Sequence, residues 1–260
     1  MFHTTPQMVL PLRTVIIPTY NEEENIGKLI ESIYRYLDEE NLEVIVVDDD
    51  STDNTQEIVR NLTTKYDNVR LIVRTKERGL STAVRRGAKE AHEGPVVVMD
   101  ADFSHHPRFL SDMFATLEAG YDVVVGSRYT TGGKVRGWPG SRIAVSKVAT
   151  LLARTLLRIS VKDPVSGFVG CKSPQILARS IEHAEYKFLV ETLAKNRNLR
   201  ATEVPIVFQD RLWGESKLDQ TTILLYIQLV FRLFFYQILG RIDSATTPKL
   251  SRGGQHSTER

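Results

Sequence analysis

The stretch "VVVMDADFSHHP" is the first place where residue types and spacing could do chemistry. An apolar run delivers two carboxylates, Asp100 and Asp102, where a strand would end, and Ser104 follows two residues later. A second acidic cluster, Asp48-Asp49-Asp50, closes the run "LEVIVV". One such cluster alone reads as turn and cap chemistry, because Asp and Ser are good helix caps and His106-Pro107 looks like a helix start. Two clusters at the same edge of one sheet are another matter, since gathered like charges repel unless a cation or a donor-rich ligand joins them. Hard oxygen ligands suit Mg2+ or Mn2+, which bridges one or two carboxylates to substrate phosphates. Asp100 and Asp102 are thus candidate metal ligands on a diphosphate platform, and Ser104 would add a hydroxyl or hold a metal-bound water. Adjacent residues of an extended chain point opposite ways, so at most one of His105 and His106 faces the metal.

A diphosphate implies a nucleotide, yet "PTYNEEEN" after the first apolar run is no G-x-G-x-x-G, and no G-x-x-x-x-G-K-[ST] occurs. That disfavours dinucleotide and P-loop binding. Tyr20 could support a base or ribose, and Glu22 and Asp49 could accept its hydrogen bonds; Glu22 to Glu24 also suit a helix N-terminus as plain dipole-favourable charge. The net charge of +2 over 260 residues is too small to argue for nucleic acid. Its distribution is telling: between Arg128 and Lys162 stand eight Lys/Arg and no Asp or Glu, a local anion-attracting surface. The lone Cys171 excludes an intrachain disulfide and a cysteine zinc site, and fits a reducing compartment. The N-terminal residues lack a charged start followed by a long apolar core, so no signal peptide is expected.

The elements that must position these residues alternate. Val15 to Ile17, "LEVIVVD", "VRLIVR", "PVVVMD" and "DVVVGS" are uninterrupted apolar runs suited to strands covered on both faces. Between them, "NIGKLIESIYRYL" places Ile26, Leu29, Ile30, Ile33 and Leu37 on one stripe, and Thr55 to Lys65 and Leu80 to Ala91 continue the helical pattern. The order predicts an α/β fold, a Rossmann-like doubly wound, mostly parallel sheet with ligands at the carboxyl ends of its strands. Beyond Gly126 come a Gly-rich loop, a helix from about Ser141 to Arg158, a strand in "DPVSGFVGCK", a short helix from Phe188 to Asn196 and a last strand "ATEVPIVF". The expected organisation is an N-terminal extension (1–12), a catalytic domain (13–218), an apolar membrane-associated helix (219–243) and a disordered polar tail (244–260).

The strings "VIIPTYNEEENI", "VVDDDSTDNT", "RGLSTAVRRGAKEA", "VVMDADFSHHP", "VVVGSRYTTGG", "DPVSGF" and "RLWGESKL" stand in this order over residues 13 to 240. Together they resemble the dolichol-phosphate mannosyltransferases of glycosyltransferase family 2, which implies a GT-A fold with a C-terminal apolar helix. The resemblance implies inverting transfer of mannose from GDP-mannose to dolichyl (polyprenyl) phosphate. By motif, Pro18, Tyr20, Glu22, Val47 and Asp49 would hold the nucleoside, and Asp100, Ala101 and Asp102 the metal and diphosphate. Arg128, Arg211 and Lys217 would close over the donor. Arg142 and Ser146, with Arg128, would grip the lipid phosphate; Asp102, Arg128 and Arg142 would be the catalytic set. Some relatives carry Gln at the position of Ser104. The chain stops without the four-helix membrane region of longer relatives, so a lighter attachment is expected.

The chemistry agrees with the residues. A phosphate monoester with a second pKa near ~6 is already an anionic nucleophile at neutral pH, so the site needs arginines and a metal more than a base. The run Thr221 to Leu239 would span about 28 Å as a helix, against a bilayer core of roughly 30 Å. Arg232 at its centre costs roughly 2.5–3.5 kcal/mol on insertion scales, which favours a helix lying in the interface on the cytoplasmic face of a membrane, peripheral or monotopic, over a span or a core helix. Lys147, Arg154 and Arg158 share a face of the preceding helix and either help there or form a plain solvated face. Rival readings are a polyprenyl-phosphate glucosyltransferase using UDP-glucose, a sugar-1-phosphate nucleotidyltransferase and a non-catalytic nucleotide-sugar-binding module. "PTYNEEEN" opposes the nucleotidyltransferase, and the lipid-phosphate grip opposes the module. No Q-x-x-R-W motif points to a polysaccharide synthase.

Overall fold

The computed structural model describes residues 11–182, 187–210 and 220–246. The β-branched runs form the expected strands: β1 (Arg13–Thr19), β2 (Leu42–Asp48), β3 (Val69–Val73), β4 (Val96–Val98) and β5 (Val123–Ser127). Helices α1 (Ile26–Tyr36), α2 (Thr55–Thr63), α3 (Leu80–Glu90) and α4 (Leu110–Glu118) alternate with them. The stripe Ile26, Leu29, Ile30, Ile33, Leu37 is buried as its spacing requires. β1 pairs in parallel with β2 and β4, and β2 with β3, so the carboxyl ends of β1, β2 and β4 share one edge.

The second half departs from expectation in four places. The Gly-rich loop contains a short strand, β6 (Lys134–Arg136), before helix α5 (Gly140–Leu157). Only the end of "DPVSGFVGCK" is strand: β7 (Val169–Cys171) runs antiparallel between β4 and β5. The rest is a loop, because the Asp163 and Ser166 side chains bond to the end of β5 rather than alternating in a ladder. After α6 (Pro174–Ser180), which the sequence pattern does not predict, and α7 (Phe188–Lys195), "ATEVPIVF" is two strands, β8 (Ala201–Pro205) and β9 (Val207–Gln209). β8 pairs with β5 and β9 with β6. Pro205 has no N–H to continue a ladder, and Ile206 bridges the two sheets, its N–H donating to Ser127 O and its carbonyl accepting from Lys134 N. The main sheet thus has the order β3-β2-β1-β4-β7-β5-β8.

Helix α8 (Gln220–Thr246) runs past the expected boundary at 243. It packs against α5 and α7 through Tyr226, Leu229, Val230 and Leu233, one stripe at i, i+3, i+4, i+7. Tyr226 donates to Ala149 O and Gln237 to Ala194 O. Its other face leaves Leu224, Phe231, Phe235, Tyr236 and Leu239 exposed, so the helix is only partly a core helix. Thr221–Leu239 is long and apolar enough to cross a membrane, by length and composition only. Residues 1–10 and 247–260, which hold most of the expected extension and tail, lie outside the described residues.

Candidate active site

A cavity of about 1430 Å³ opens at the carboxyl edge of the sheet and continues between α5 and α8. At one end stand Asp100 and Asp102, carried out of the core by β4. Asp102 is buried and accepts the Ser104 N–H at 3.0 Å, a turn that folds the short DAD segment back on itself. The Ser104 hydroxyl is buried without a hydrogen-bond partner, so it has bonding capacity left for a ligand. Gly167 comes so close that a Cβ there would stand 3.2 Å from Asp100 Oδ2; the carboxylate needs that glycine. His105 turns toward Asp100, its Nδ1 3.5 Å from Oδ2, with its ring between Phe168 and Phe208. Burial pushes its pKa down, against the pull of Asp100 and Asp102. His106 instead accepts the Arg108 N–H as a cap.

Two carboxylates and an unpartnered hydroxyl are hard oxygen donors that fit Mg2+ or Mn2+. No group of three or more His, Cys, Asp or Glu able to hold a metal occurs among the described residues. The set therefore suits a cation shared with ligand phosphates better than a closed protein cage.

The first acidic cluster has protein partners of its own. Asp48 accepts from Thr19, Ser51 and Gln56 side chains. Asp49 binds the buried Arg74 through Oδ1 and the Gly79 N–H at 2.7 Å through Oδ2. Asp50 faces Arg78. The cation that repulsion demands at this strand end is thus arginine, from β3 and the α3 approach. Pro18, Tyr20, Glu22 and Asp49 line the cavity, and Arg78 lies 5.5 Å from the Tyr20 ring centre. Val47 does not: it is 0% exposed in the core beneath α3, because its place within the strand turns the side chain inward.

The cationic middle of the cavity is equally built. Arg128 is buried and grips Asp163 with Nε and Nη2, both at 2.8 Å. Burial opposes its charge, but the Asp163 bonds outweigh that and raise its pKa. Its guanidinium lies among Tyr129, Trp138 and Phe208. Arg142 in the first turn of α5 stacks 4.1 Å from the Trp138 ring centre and donates to Asp210 Oδ1 at 3.0 Å. Trp138 Nε1 donates to the same oxygen. Ser146, one turn beyond, shares a 2.8 Å hydrogen bond with the Tyr129 hydroxyl. The acid-free block therefore receives acids from elsewhere in the chain, and only Lys134, Arg136, Lys147, Arg154, Arg158 and Lys162 have no ion pair among the described residues. Arg211 and Lys217 lie outside the described residues.

Sequence reasoning missed Lys187. It lines the same cavity, half-buried, and donates to Val165 O. Burial first, then the charge of Arg128, pushes its ammonium down to about 8. Nothing in "EYKFLVE" marks it; only the fold brings it beside Arg128. Asp163 stands in "DPVSGF", 35 residues beyond Arg128, and only the fold pairs the two.

The model of the family described as "Glycosyl transferase family 2" matches residues 14–176. The chain belongs to glycosyl transferase family 2. Within that family it is 36% identical over 236 residues to the dolichol-phosphate mannosyltransferase of Saccharomyces cerevisiae, covering 86% of this chain and 87% of that protein. The enzyme of the same name from Mycosarcoma maydis is 35% identical, with 87% and 80% covered. The Pyrococcus furiosus enzyme is 43% identical over 88% of this chain, which spans only 65% of that longer relative. Among solved structures, glucosyl-3-phosphoglycerate synthase of Mycobacterium tuberculosis, in complex with Mn2+, UDP and phosphoglyceric acid, superposes with a TM-score of 0.67 at 22% identity, covering 86% of this chain and 78% of that one. A second structure of that synthase, with Mg2+ and UDP, has a TM-score of 0.63 at 22% identity, with 86% and 79% covered. These last likenesses establish the GT-A architecture of this family 2 member.

Proposed function

We propose that this family 2 glycosyltransferase moves mannose from GDP-mannose to the phosphate of a dolichyl or other polyprenyl phosphate, inverting the anomeric carbon, at the cytoplasmic face of a membrane. One observation carries the reading: a single cavity runs from the acid pair, past Arg128, Arg142 and Lys187, to an apolar arm of Val145, Val148, Leu152, Ile223 and Ile227 between α5 and α8. An acceptor with a phosphate head and a hydrocarbon tail fits that sequence of surfaces. A polar acceptor would leave the apolar arm without a purpose.

Asp100 and Asp102, with Ser104, would hold Mg2+ or Mn2+, which supplies charge compensation on the departing diphosphate. Pro18, Tyr20, Glu22 and Asp49 would seat the nucleoside. The acceptor phosphate, with a second pKa near ~6, needs no base. Arg142, with Ser146 one turn on, would bring it beside the donor, and Lys187 would offset the repulsion between the two anions. A bond forms from an acceptor phosphate oxygen to C1 while the bond from C1 to the diphosphate breaks on the opposite side. The shared Asp210 contact and the Trp138 stack would fix the Arg142 guanidinium before the acceptor arrives, as preorganised donors require. The exposed face of α8 would rest on the bilayer.

The test is a donor panel with a short, soluble polyprenyl phosphate and Mg2+ or Mn2+, following GDP against UDP release. GDP release dependent on metal and acceptor supports the reading. UDP release alone gives the glucosyl alternative, and release indifferent to the lipid phosphate overturns the acceptor assignment.

A further inference from the structure

Arg128 also borders a second, smaller hollow of about 490 Å³, lined by Lys147, Thr150, Leu151, Arg154 and Lys162. Lys147, Thr150, Leu151 and Arg154 are spaced i, i+3, i+4, i+7 and so share one face of α5. No Asp or Glu among the described residues lines the hollow. Lys147, Arg154 and Lys162 are exposed and have no ion-pair partner among the described residues. Thr150 is the opposite case: only 7% exposed, its hydroxyl has no hydrogen-bond partner. A buried donor left unmade is unfavourable, and here it lies in the wall of a hollow rimmed by free cations. A ligand that satisfies all four groups carries negative charge and several acceptor oxygens, as a phosphate diester does.

The rim decides the source of that phosphate. Leu151, in the same wall, is 64% exposed, and Val148 on the preceding turn is 66% exposed and lines the large cavity. α8, packed against α5, exposes Leu224, Phe231, Phe235 and Leu239. Free phosphate has no use for such a surround, whereas a membrane lipid presents its phosphate directly above hydrocarbon. We infer that the Lys147–Thr150–Arg154–Lys162 hollow docks the headgroup phosphate of an anionic phospholipid, separate from the acceptor phosphate at Arg142. The inference rests on the membrane-surface part of the proposed function. It adds a reason for orientation: a headgroup held here sets Val148 and the apolar mouth of the large cavity against the acyl layer.

The experiment compares binding of the full chain to phosphatidylcholine vesicles with and without phosphatidylglycerol. The wild type should prefer the anionic vesicles by roughly tenfold or more, since each basic residue near an anionic surface adds to binding. The triple variant Lys147→Gln, Arg154→Gln, Lys162→Gln should lose that preference. A control of equal charge change, Lys28→Gln, Lys76→Gln, Lys89→Gln, should keep most of it. Thr150→Val, nearly isosteric, should weaken it severalfold with an unchanged melting temperature. Turnover of a short soluble acceptor without vesicles should be the same in the triple variant as in the wild type. If the triple variant and the charge control bind alike, or if Thr150→Val binds as the wild type does, the hollow is not a headgroup site. If the triple variant loses soluble-acceptor turnover at unchanged vesicle binding, the hollow serves the reaction and the inference fails. Vesicle binding is read without turnover, so a chain that transfers no sugar at all would sink the proposed function and leave this test standing.

Discussion

At the scale of single residues, charge placement decides what each group can do. Asp102 is buried beside the unpartnered Ser104 hydroxyl, so Asp102→Asn removes charge that an amide cannot replace. We expect turnover to vanish and metal-dependent donor binding to weaken; full activity in that variant or in chelator refutes the metal platform. Asp49 and Arg142 divide by ligand. Arg142→Ala should cut kcat/KM for lipid phosphate by orders of magnitude and leave GDP affinity nearly unchanged, because Arg142 lies at the α5 end. Asp49→Ala should lose GDP and also about 1–3 kcal/mol of stability, since the buried Arg74 loses its close carboxylate and keeps only Thr82, Gly79 O and Glu77 at 3.9 Å among the described residues. Urea melts beside calorimetric GDP titrations separate the two effects. Lys187 sets the pH window. Below about 8 its ammonium is charged, above that it loses the proton, and Arg128, Arg142, Asp100 and Asp163 surround it. The acceptor gains its second negative charge above ~6, so kcat/KM should rise through about 6 and fall above about 8. Lys187→Arg, which keeps its charge, should remove the alkaline fall; a fall that stays in place assigns it to another group.

At the scale of elements, the loop before β7 joins the acid pair to the cationic middle of the cavity. Asp163 holds Arg128, Ser166 bonds Gly126 O, and Gly167 leaves room for the Asp100 carboxylate where a Cβ would crowd it. A glycine in this loop and one in β5 should respond differently. A Cβ at Gly126 would stand 2.5 Å from the Phe168 ring, so Gly126→Ala should destabilise by about 1–3 kcal/mol through overpacking. Gly167→Ala should instead leave the melting temperature nearly unchanged and raise the metal concentration needed for half activity, because it crowds a carboxylate. Equal loss of stability in both variants would remove the distinction. The alternating apolar runs made β1 to β5 and α1 to α3 legible, since periodicity reports burial directly. The position of the acid pair at a strand exit was legible for a related reason, since the apolar run before it marks where β4 leaves the core. What could not be read was pairing over long sequence distances. Arg128 meets Asp163, Arg142 meets Asp210, and Asp49 meets Arg74 only through the fold, so a block without acids looked more open than it is. The Val47 side chain lies in the core and not on the cavity, because a motif gives position along a strand and not the direction of its side chain.

At the scale of the whole molecule, the proposed function makes the apolar arm and the exposed face of α8 one continuous surface for catalysis and attachment. Phe235→Ser with Leu239→Ser, both exposed, should change stability by less than about 0.5 kcal/mol and yet weaken vesicle binding and turnover of long-chain acceptor, while short soluble acceptor is turned over normally. Loss on both acceptors would mean that α8 shapes the cavity instead. The sheet order has a further consequence, in time. β1 to β4 are neighbours made from the first hundred residues of the chain, and they can pair while the remainder is still on the ribosome. β5 cannot join them then, because its neighbours are β7 and β8, both synthesised later. A nascent chain halted before residue 163 would hold a nucleotide-side half with Asp100 and Asp102 in place, but neither the Asp163 that seats Arg128 nor the Gly167 that fits against Asp100. On the proposed function, such a chain would carry the acid pair and Arg142 before the Asp163 that holds Arg128 and before Lys187 of the same cavity.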